Sequence, residues 1–219
     1  MDLTGTALIL EGGGLRGNYT AGVLRFFADK GLFFPYVIGV SIGACNGSNY
    51  VSRQPERNRI VNTRYVRDPR FLSYRRLLAG GGLFGMAFVF GTIPLQLVPF
   101  DFERLFASDQ RHITTATDCV TGQPRYYEKD HLAPQDFLRV LQAGCSLPLL
   151  QKPARFDGRV LMDGGLADPI PLRKSMADGN ARHVLILTQP RGYRKKSLAF
   201  GGADSSSLCA EMMAWRTRA

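Results

Sequence analysis

A short apolar run that breaks into a Gly-x-Ser-x-Gly pattern restricts the fold of this chain more than any other feature. Residues 36–38 read Tyr-Val-Ile, and Gly39, Ser41 and Gly43 follow at alternate positions. This pattern is typical of a nucleophile elbow, a sharp strand-to-helix turn that holds a serine in a strained conformation between glycines. The N-terminus of the following helix would favour negative charge beside the serine hydroxyl. An ordinary strand-to-helix joint with a capping serine is the alternative, since the pattern also occurs by chance.

A glycine-rich loop precedes the elbow. Apolar residues 6–10 predict a strand, and helical spacing over residues 18–30 predicts a helix. The loop between them reads Gly12-Gly13-Gly14-Leu15-Arg16-Gly17. Consecutive glycines let backbone amides converge on one anionic oxygen, as in a phosphate-binding loop or an oxyanion hole. A nucleotide site is disfavoured, because Gly-Lys-Ser/Thr is missing and Ser41 stands where a dinucleotide fold needs an acidic residue.

A carboxylate is the predicted base for Ser41. The chain has three histidines, His112, His131 and His183. Only His183 has the chain order of an α/β-hydrolase triad, and all three are interpreted as surface or strand-edge polar residues. Asp163 follows an apolar run and opens a tight turn with Gly164 and Gly165. It could accept the hydroxyl proton directly, although an aspartate with a pKa of about 3.9 is a weak base and depends on a strong oxyanion hole.

Length and charge limit the architecture and the partners. A chain of 219 residues suits one α/β domain, predicted over residues 1–193, with a tail over 194–219 that is truncated or poorly ordered and contains at most a short helix near 212–215. The net charge of +10 favours an acidic partner. Arginines concentrate in the basic segment 53–76, which precedes the uncharged apolar segment 77–100. Together these segments fit an anionic membrane surface better than nucleic acid, with a solvated helix face as the alternative.

The apolar segment is long enough to suggest a transmembrane helix, but its glycines, Pro94 and Pro99 argue against a straight span. Residues 83–90 are interpreted as a mobile flap or interfacial wedge that helps form an acyl-chain pocket, or as an ordinary buried helix. The four scattered cysteines predict free thiols in a reducing compartment, and no secretory signal is visible, so the expected location is cytoplasmic.

The remaining pattern predicts two hairpins, one over 113–127 and one turning at 157–158 that delivers Asp163. A helix is expected over 135–143 and a buried strand over 182–189.

Three blocks resemble the signatures of the patatin-like phospholipases, in the family's order. They are Gly12-Gly13-Gly14-Leu15-Arg16-Gly17, Gly39-Val40-Ser41-Ile42-Gly43 and Asp163-Gly164-Gly165. Residues 143–148 and 166–171 resemble the family's stretches around the aspartate, except that Asp168-Pro169 stands where many members have Asp-Asn. The resemblance implies a three-layer α/β/α patatin-like fold with a mainly parallel central sheet and a nucleophile elbow.

It also implies hydrolysis of lipid acyl esters by a serine-aspartate dyad, with no metal or cofactor. Ser41 would be the nucleophile and Asp163 the proton acceptor, while residues 12–17 would form the oxyanion hole and Arg16 would help fix that loop. The expected protein is a cytoplasmic, peripherally membrane-associated serine hydrolase acting on phospholipid or lysophospholipid. A carboxylesterase for soluble short-chain esters and a non-catalytic lipid-binding module are the alternatives.

Overall fold

The computed structural model describes residues 2–193, and a seven-stranded sheet forms their centre. The predicted tail and the helix near 212–215 lie outside the described residues. The strands are β1 (Thr6–Leu10), β2 (Tyr36–Val40), β3 (Arg111–Asp118), β4 (Pro124–Glu128), β5 (Ala154–Phe156), β6 (Arg159–Asp163) and β7 (Arg182–Ile186). The α-helices are α1 (Gly17–Asp29), α2 (Ile42–Val51), α3 (Pro55–Ile60), α4 (Tyr74–Leu78), α5 (Phe102–Ala107), α6 (Pro134–Gly144) and α7 (Leu172–Ala177).

The centre of the sheet is parallel. Strands β7, β1, β2 and β3 run in the same direction, and every residue of β1 and β2 is buried. Such strands are apolar along their whole length because helices cover both faces of the sheet. On one face, Leu8 and Val37 pack with residues of α1, α2 and α6. On the other face, Ile9 and Ile38 pack with Leu172 of α7. The predicted three-layer α/β/α fold is confirmed.

The two predicted hairpins extend the parallel strands with antiparallel ones. β4 pairs with β3 over Ile113 to Thr117, and the β5–β6 hairpin pairs through β6 with the end of β3. A strand has only two edges, so β6 must lie on the edge of β3 that β4 leaves open. That edge is the one β2 uses, where Val40 lies opposite Thr115. Asp163 lies opposite the next residue, Ala116. β6 therefore continues the line of β2 just where β2 ends.

The strand predicted over 182–189 is shorter and less buried than expected. β7 ends at Ile186 and, within residues 2–193, pairs only with β1. Leu185 is 38% exposed. The prediction of a buried strand was wrong because an apolar run does not distinguish a central strand from an edge strand.

The basic and apolar segments fold as a cap of short helices beside α2. Residues 61–65 and 88–97 form π-helical turns. Aromatic and branched side chains from both segments pack together in a small hydrophobic core separate from the main one. Leu95 and Leu97 point outward and are exposed. Over the described part of the chain, no helix combines the length and apolar character needed to cross a bilayer.

Candidate active site

The elbow has the geometry that its sequence predicts. Ser41 joins β2 to α2 with φ 54° and ψ −128°, a backbone conformation that is strained for any residue with a side chain. Its flanking glycines are needed for space. A Cβ atom on Gly43 would lie 2.4 Å from the carbonyl oxygen of Leu10, and one on Gly39 would lie 2.4 Å from the amide nitrogen of Ala44. The close packing of strand, turn and helix therefore tolerates only glycine at both positions.

Asp163 lies beside the elbow, at the end of β6. Its neighbour Gly165 donates a backbone hydrogen bond of 2.9 Å to the Oδ1 atom of Asp163. A Cβ atom on Gly165 would be 3.7 Å from the side chain of Val40, the residue before the serine. Asp163 is only 3% exposed, and Ser41 7%. The structure thus brings the two predicted catalytic side chains, distant in sequence, to one buried position.

The thiol of Cys145 is a third group at this position, and the sequence did not single it out. Its Sγ atom lies 3.6 Å from that of Cys45, and its thiol is a neighbour of the Ser41 side chain. The hydrogen bond between Cys145 and Cys45, followed by burial and the nearby charge of Asp163, raises the pKa of Cys145 well above its usual value. Cys145 is therefore a neutral thiol at physiological pH, and neither Cys45 nor Cys145 forms a disulfide, as predicted.

The glycine loop passes directly over Ser41. A Cβ atom on Gly12 would lie 3.1 Å from the Cβ atom of Ser41. Gly13 and Gly14 have φ values of 149° and 57°, which residues with side chains rarely adopt. After this turn the chain enters a short 3₁₀ turn that includes Leu15 and Arg16, and α1 begins at Gly17. Backbone amides next to the hydroxyl are the groups that an oxyanion hole requires.

Two further residues of the predicted loop have distinct positions. Gly17 is buried against the elbow, where a Cβ atom would be 2.6 Å from the side chain of Ile42. Arg16 is exposed, and its Nε atom lies 3.4 Å from the place where a Cβ atom of Gly13 would be. The guanidinium group therefore lies alongside the loop on its outer side.

A pair of residues that the sequence analysis missed holds the loop from below. Thr188, just after β7, donates its backbone amide to the Oε2 atom of Glu11 at 2.5 Å. Its hydroxyl donates to the carbonyl oxygen of Gly12. Glu11 follows β1 and Thr188 follows β7, and these neighbouring strands are parallel. Both residues therefore lie at the carboxyl-terminal ends of adjacent strands, which is the signal that could have identified them from the sequence. Together they tie the glycine loop to the end of β7.

The histidines lie apart from the elbow serine. His112 is completely buried on the central strand β3, where its Nε2 atom lies 3.0 Å from the carbonyl oxygen of Ala44. Burial lowers the pKa of His112 to about 4. The surface or strand-edge interpretation was wrong for this residue, which fills a core position. His131 is exposed, and His183 lies on the edge strand β7.

An apolar cavity of about 140 Å³ opens beside Ser41. Its walls come from the glycine loop, α2, the basic segment, α6 and the apolar segment. The last contributes Phe84, Met86, Val89, Phe90, Ile93 and Pro94. The predicted contribution of residues 83–90 to a pocket therefore agrees with the structure, while its mobility stays a prediction. Among residues 2–193, no three histidine, cysteine or acidic side chains are grouped as metal ligands.

Comparison with known proteins decides the family. The model of the family described as patatin-like phospholipase matches residues 8–175. The chain belongs to the patatin-like phospholipase family. It is 31% identical over 190 residues to the uncharacterized protein YjjU of Escherichia coli, covering 84% of this chain and 52% of that protein. It is 24% identical over 173 residues to the uncharacterized NTE family protein Rv1063c of Mycobacterium tuberculosis, covering 76% of this chain and 44% of that protein.

A solved structure agrees with the fold of this patatin-like chain. VipD from Legionella pneumophila superposes with a TM-score of 0.53 at 15% sequence identity, over 74% of this chain and 46% of VipD. The chain thus spans about half the length of the relatives that it matches.

Proposed function

We propose that this patatin-like chain is a serine acyl hydrolase that releases fatty acid from membrane phospholipid or lysophospholipid at a cytoplasmic membrane surface. One observation supports the proposal above all others. A buried serine in a strained elbow lies at a helix N-terminus, beside a buried carboxylate and in the lining of an apolar cavity. This is the arrangement that acyl transfer from a lipid ester needs.

In the proposed reaction, Asp163 accepts the hydroxyl proton as the oxygen of Ser41 attacks the ester carbonyl. The backbone amides of Gly13 and Gly14 stabilise the negative oxygen of the tetrahedral intermediate. Collapse of the intermediate expels the alcohol, which takes the proton from Asp163, and leaves an acyl group on Ser41. Water then attacks this ester with Asp163 again as the base, and Asp163 returns the proton to the oxygen of Ser41 as the fatty acid leaves.

The groups around Ser41 and Asp163 help an aspartate, which is a weak base, to activate the serine. Cys145 keeps its proton because its pKa is raised, so it does not compete with Asp163 for the serine proton. The glycine loop is held by Thr188 and Glu11, so its amides need no reorganisation when charge develops. Such preorganised donors are worth about 3–4 kcal/mol of transition-state stabilisation in other serine hydrolases.

The cavity favours a lipid over a soluble short-chain ester. Its lining is dominated by aromatic and branched apolar side chains, which gain from burying methylene groups at about 0.8 kcal/mol each. Exposed arginines of the basic segment and the exposed side chains of Leu95 and Leu97 lie on the cap that covers this cavity. The cap is therefore the proposed contact with an anionic membrane.

Hydrolysis is tested with fatty-acid release from phospholipid vesicles, cleavage of a nitrophenyl ester, and covalent labelling by a fluorophosphonate. Ser41→Ala is expected to abolish all three, and Asp163→Asn to lower both rates about 10²- to 10⁴-fold. Asp168→Asn is the matched control, because this carboxylate lies five residues further on and binds the hydroxyl of Tyr126 instead. Lipid-vesicle binding without hydrolysis or labelling by the unmodified protein would contradict the proposal and favour a lipid-binding module. Cleavage of short esters alone would favour the carboxylesterase.

Membrane contact is tested by sedimentation with vesicles. Arg64→Glu and Arg67→Glu change exposed arginines of the basic segment. Each is expected to weaken binding to anionic vesicles about 5-fold or more, since a basic residue near such a surface contributes about 1 kcal/mol. Binding to zwitterionic vesicles is the control. Equal binding of wild type to both vesicle types would contradict the assigned surface.

A further inference from the structure

The cavity beside Ser41 has one positively charged residue in its wall, and this residue is partly buried. Arg57 of α3 lines the cavity wall and packs near the ring of Phe100. Within residues 2–193, no acidic side chain lies within ion-pair distance of Arg57. The nearest carboxylate in its own helix, Glu56, pairs instead with Arg25 and Arg59. Burial lowers the pKa of Arg57 to about 10, so the group is still charged at neutral pH. A partly buried charge without a counter-ion loses part of its hydration and gains no ion pair in return.

The hydrogen bonds around Arg57 leave donors unused. Its Nε atom donates to the carbonyl oxygen of Val98 at 3.0 Å, and its Nη1 atom donates to Oδ1 of Asn49 at 3.1 Å. A guanidinium group has five N–H donors, and these bonds use two of them. The remaining donors have no protein acceptor among the described residues and are open to the cavity or to solvent.

The same network fixes the orientation of a neighbouring amide. Because Oδ1 of Asn49 accepts from Arg57, its Nδ2 group must be the donor, and it donates to Oδ1 of Asn58. This leaves Nδ2 of Asn58 as a donor, and that atom is buried with no acceptor among the described residues. Asn58 is only 4% exposed and also lines the cavity. Two adjacent residues of the cavity wall, Arg57 and Asn58, therefore carry surplus donors. The unmatched acceptor of the wall, Oδ1 of Asn46, belongs to an amide that donates to the carbonyl oxygen of Gly17 in the glycine loop.

The position of Asn49, which binds Arg57, indicates how far these donors lie from the serine. Ser41, Cys45 and Asn49 are spaced four residues apart, so they share one face of the elbow helix, and all three line the cavity. With a rise of 1.5 Å per residue, Asn49 lies roughly 12 Å along the helix axis from Ser41. A ligand that spans the cavity would meet the hydroxyl at one end and the donors of Arg57 and Asn58 at the other.

We propose that Arg57 and Asn58 form an anion-recognition site, so that the substrate is an amphiphile carrying phosphate or carboxylate oxygens roughly 10–12 Å from the scissile carbonyl. Such oxygens accept hydrogen bonds from a planar guanidinium fork better than any neutral group does. The apolar walls between the two ends bury the hydrocarbon part. The site rests on the proposed hydrolase function for its role in catalysis, but its ligand can be tested without catalysis.

Binding is measured by calorimetry on the Ser41→Ala variant, with decyl phosphate, decanoate and decanol as probes. Both anions are expected to bind more tightly than decanol. Adding Arg57→Gln should weaken anion binding about 10- to 100-fold, the loss of a charged hydrogen bond, and leave decanol unchanged. Arg139→Gln is the matched control, because this arginine is exposed on α6 and pairs with Asp136.

A second variant distinguishes loss of anion recognition from loss of folded structure. Asn58→Asp has nearly the same shape and supplies the missing carboxylate to Arg57 from within. It is expected to abolish the preference for anions while keeping the melting temperature at or above that of the parent. If Arg57→Gln or Asn58→Asp leaves anion binding unchanged, or if decanol binding falls equally, the proposal is overturned.

Kinetics then separate the two possible sources of the anion. A 1-acylglycerol phosphate is compared with the 1-monoacylglycerol of the same chain, and the nitrophenyl monoester of sebacic acid with nitrophenyl decanoate. Loss of phosphate preference in Arg57→Gln, seen in kcat/KM, assigns the site to the lipid headgroup. Loss of sebacate preference assigns it to a terminal carboxylate on the acyl chain. Preference for neither anion in the unmodified enzyme would refute the site, whereas anion binding without hydrolysis of any ester would refute only the hydrolase.

Discussion

The substitution Gly43→Ala tests how tightly the elbow is packed. Gly43 lies in the first turn of α2, and an added Cβ atom would stand 2.4 Å from the carbonyl oxygen of Leu10 and 2.8 Å from that of Glu11. Both contacts are with backbone atoms of β1 and the start of the glycine loop. Neither can rotate away as a side chain would, so the helix start or the strand end must move.

The expected cost follows from two opposing effects. Overpacking of a close-packed site costs about 1–3 kcal/mol, while replacing glycine by alanine in a helix returns up to about 1 kcal/mol. The net loss of folding stability should be about 1–2 kcal/mol. A displacement of about 1 Å at the turn would also move the serine hydroxyl away from the glycine loop and lower kcat on the order of 100-fold.

The matched control is Gly22→Ala in α1. It is the same change in a helix, but at an exposed position where an added Cβ atom meets nothing within 4 Å. This variant should gain up to about 1 kcal/mol and keep full activity. Denaturant unfolding and ester cleavage are measured on both. A Gly43→Ala protein as stable and as active as Gly22→Ala would refute the close packing of strand, turn and helix.

Three other predictions follow from the site and its support. Thr188→Val removes the hydroxyl that holds Gly12 and should lower kcat about 10-fold with little change in KM, as measured by steady-state kinetics; an unchanged kcat would contradict the support. The pKa of His112 is about 4 in the folded chain and about 6.5 in the unfolded chain. The free energy of unfolding should therefore be highest above pH 6.5 and should fall by about 3 kcal/mol as the pH is lowered to 4, because the unfolded chain takes up the proton first. The free energy of unfolding of His112→Gln, measured from denaturant unfolding curves, should not show this fall. The same pH dependence in wild type and variant would contradict the prediction. Since the pKa of Cys145 is raised, iodoacetamide at pH 8 should leave it unmodified in the folded chain, as mass spectrometry would show; rapid alkylation would contradict this.

The sequence predicts the elements of this fold well because their signals are local. The elbow, the glycine loop and the turn at Asp163 are each specified within a few neighbouring residues, where backbone conformation demands glycine. The two hairpins were also predictable from their turn residues. Local sequence patterns do not show which strands are neighbours in the sheet. The place of β6 on the same edge of β3 as β2 is therefore known only from the structure.

The missed residues have the same explanation. Glu11 and Thr188 are far apart in sequence and act together only because β1 and β7 are neighbours. Arg57 stands in a run of arginines, where the natural interpretation is a charged surface. Its neighbours in the run are mostly exposed, but the cap folds so that Arg57 lines the cavity. Composition identifies the basic segment, but it cannot show that Arg57 is the arginine that lines the cavity.

The strained backbone at Ser41 has a consequence for the whole molecule. Residues with a side chain pay about 1–3 kcal/mol for such a conformation, whereas glycine adopts it freely and loses only about 0.5–1 kcal/mol through its greater unfolded-state freedom. Removing the nucleophile as Ser41→Gly should therefore make the protein more stable than the wild type. The chain then exemplifies a trade-off in which the residue proposed for function lowers the stability of the fold. For trapping an uncleaved lipid, Ser41→Gly would be a sturdier inactive form than Ser41→Ala.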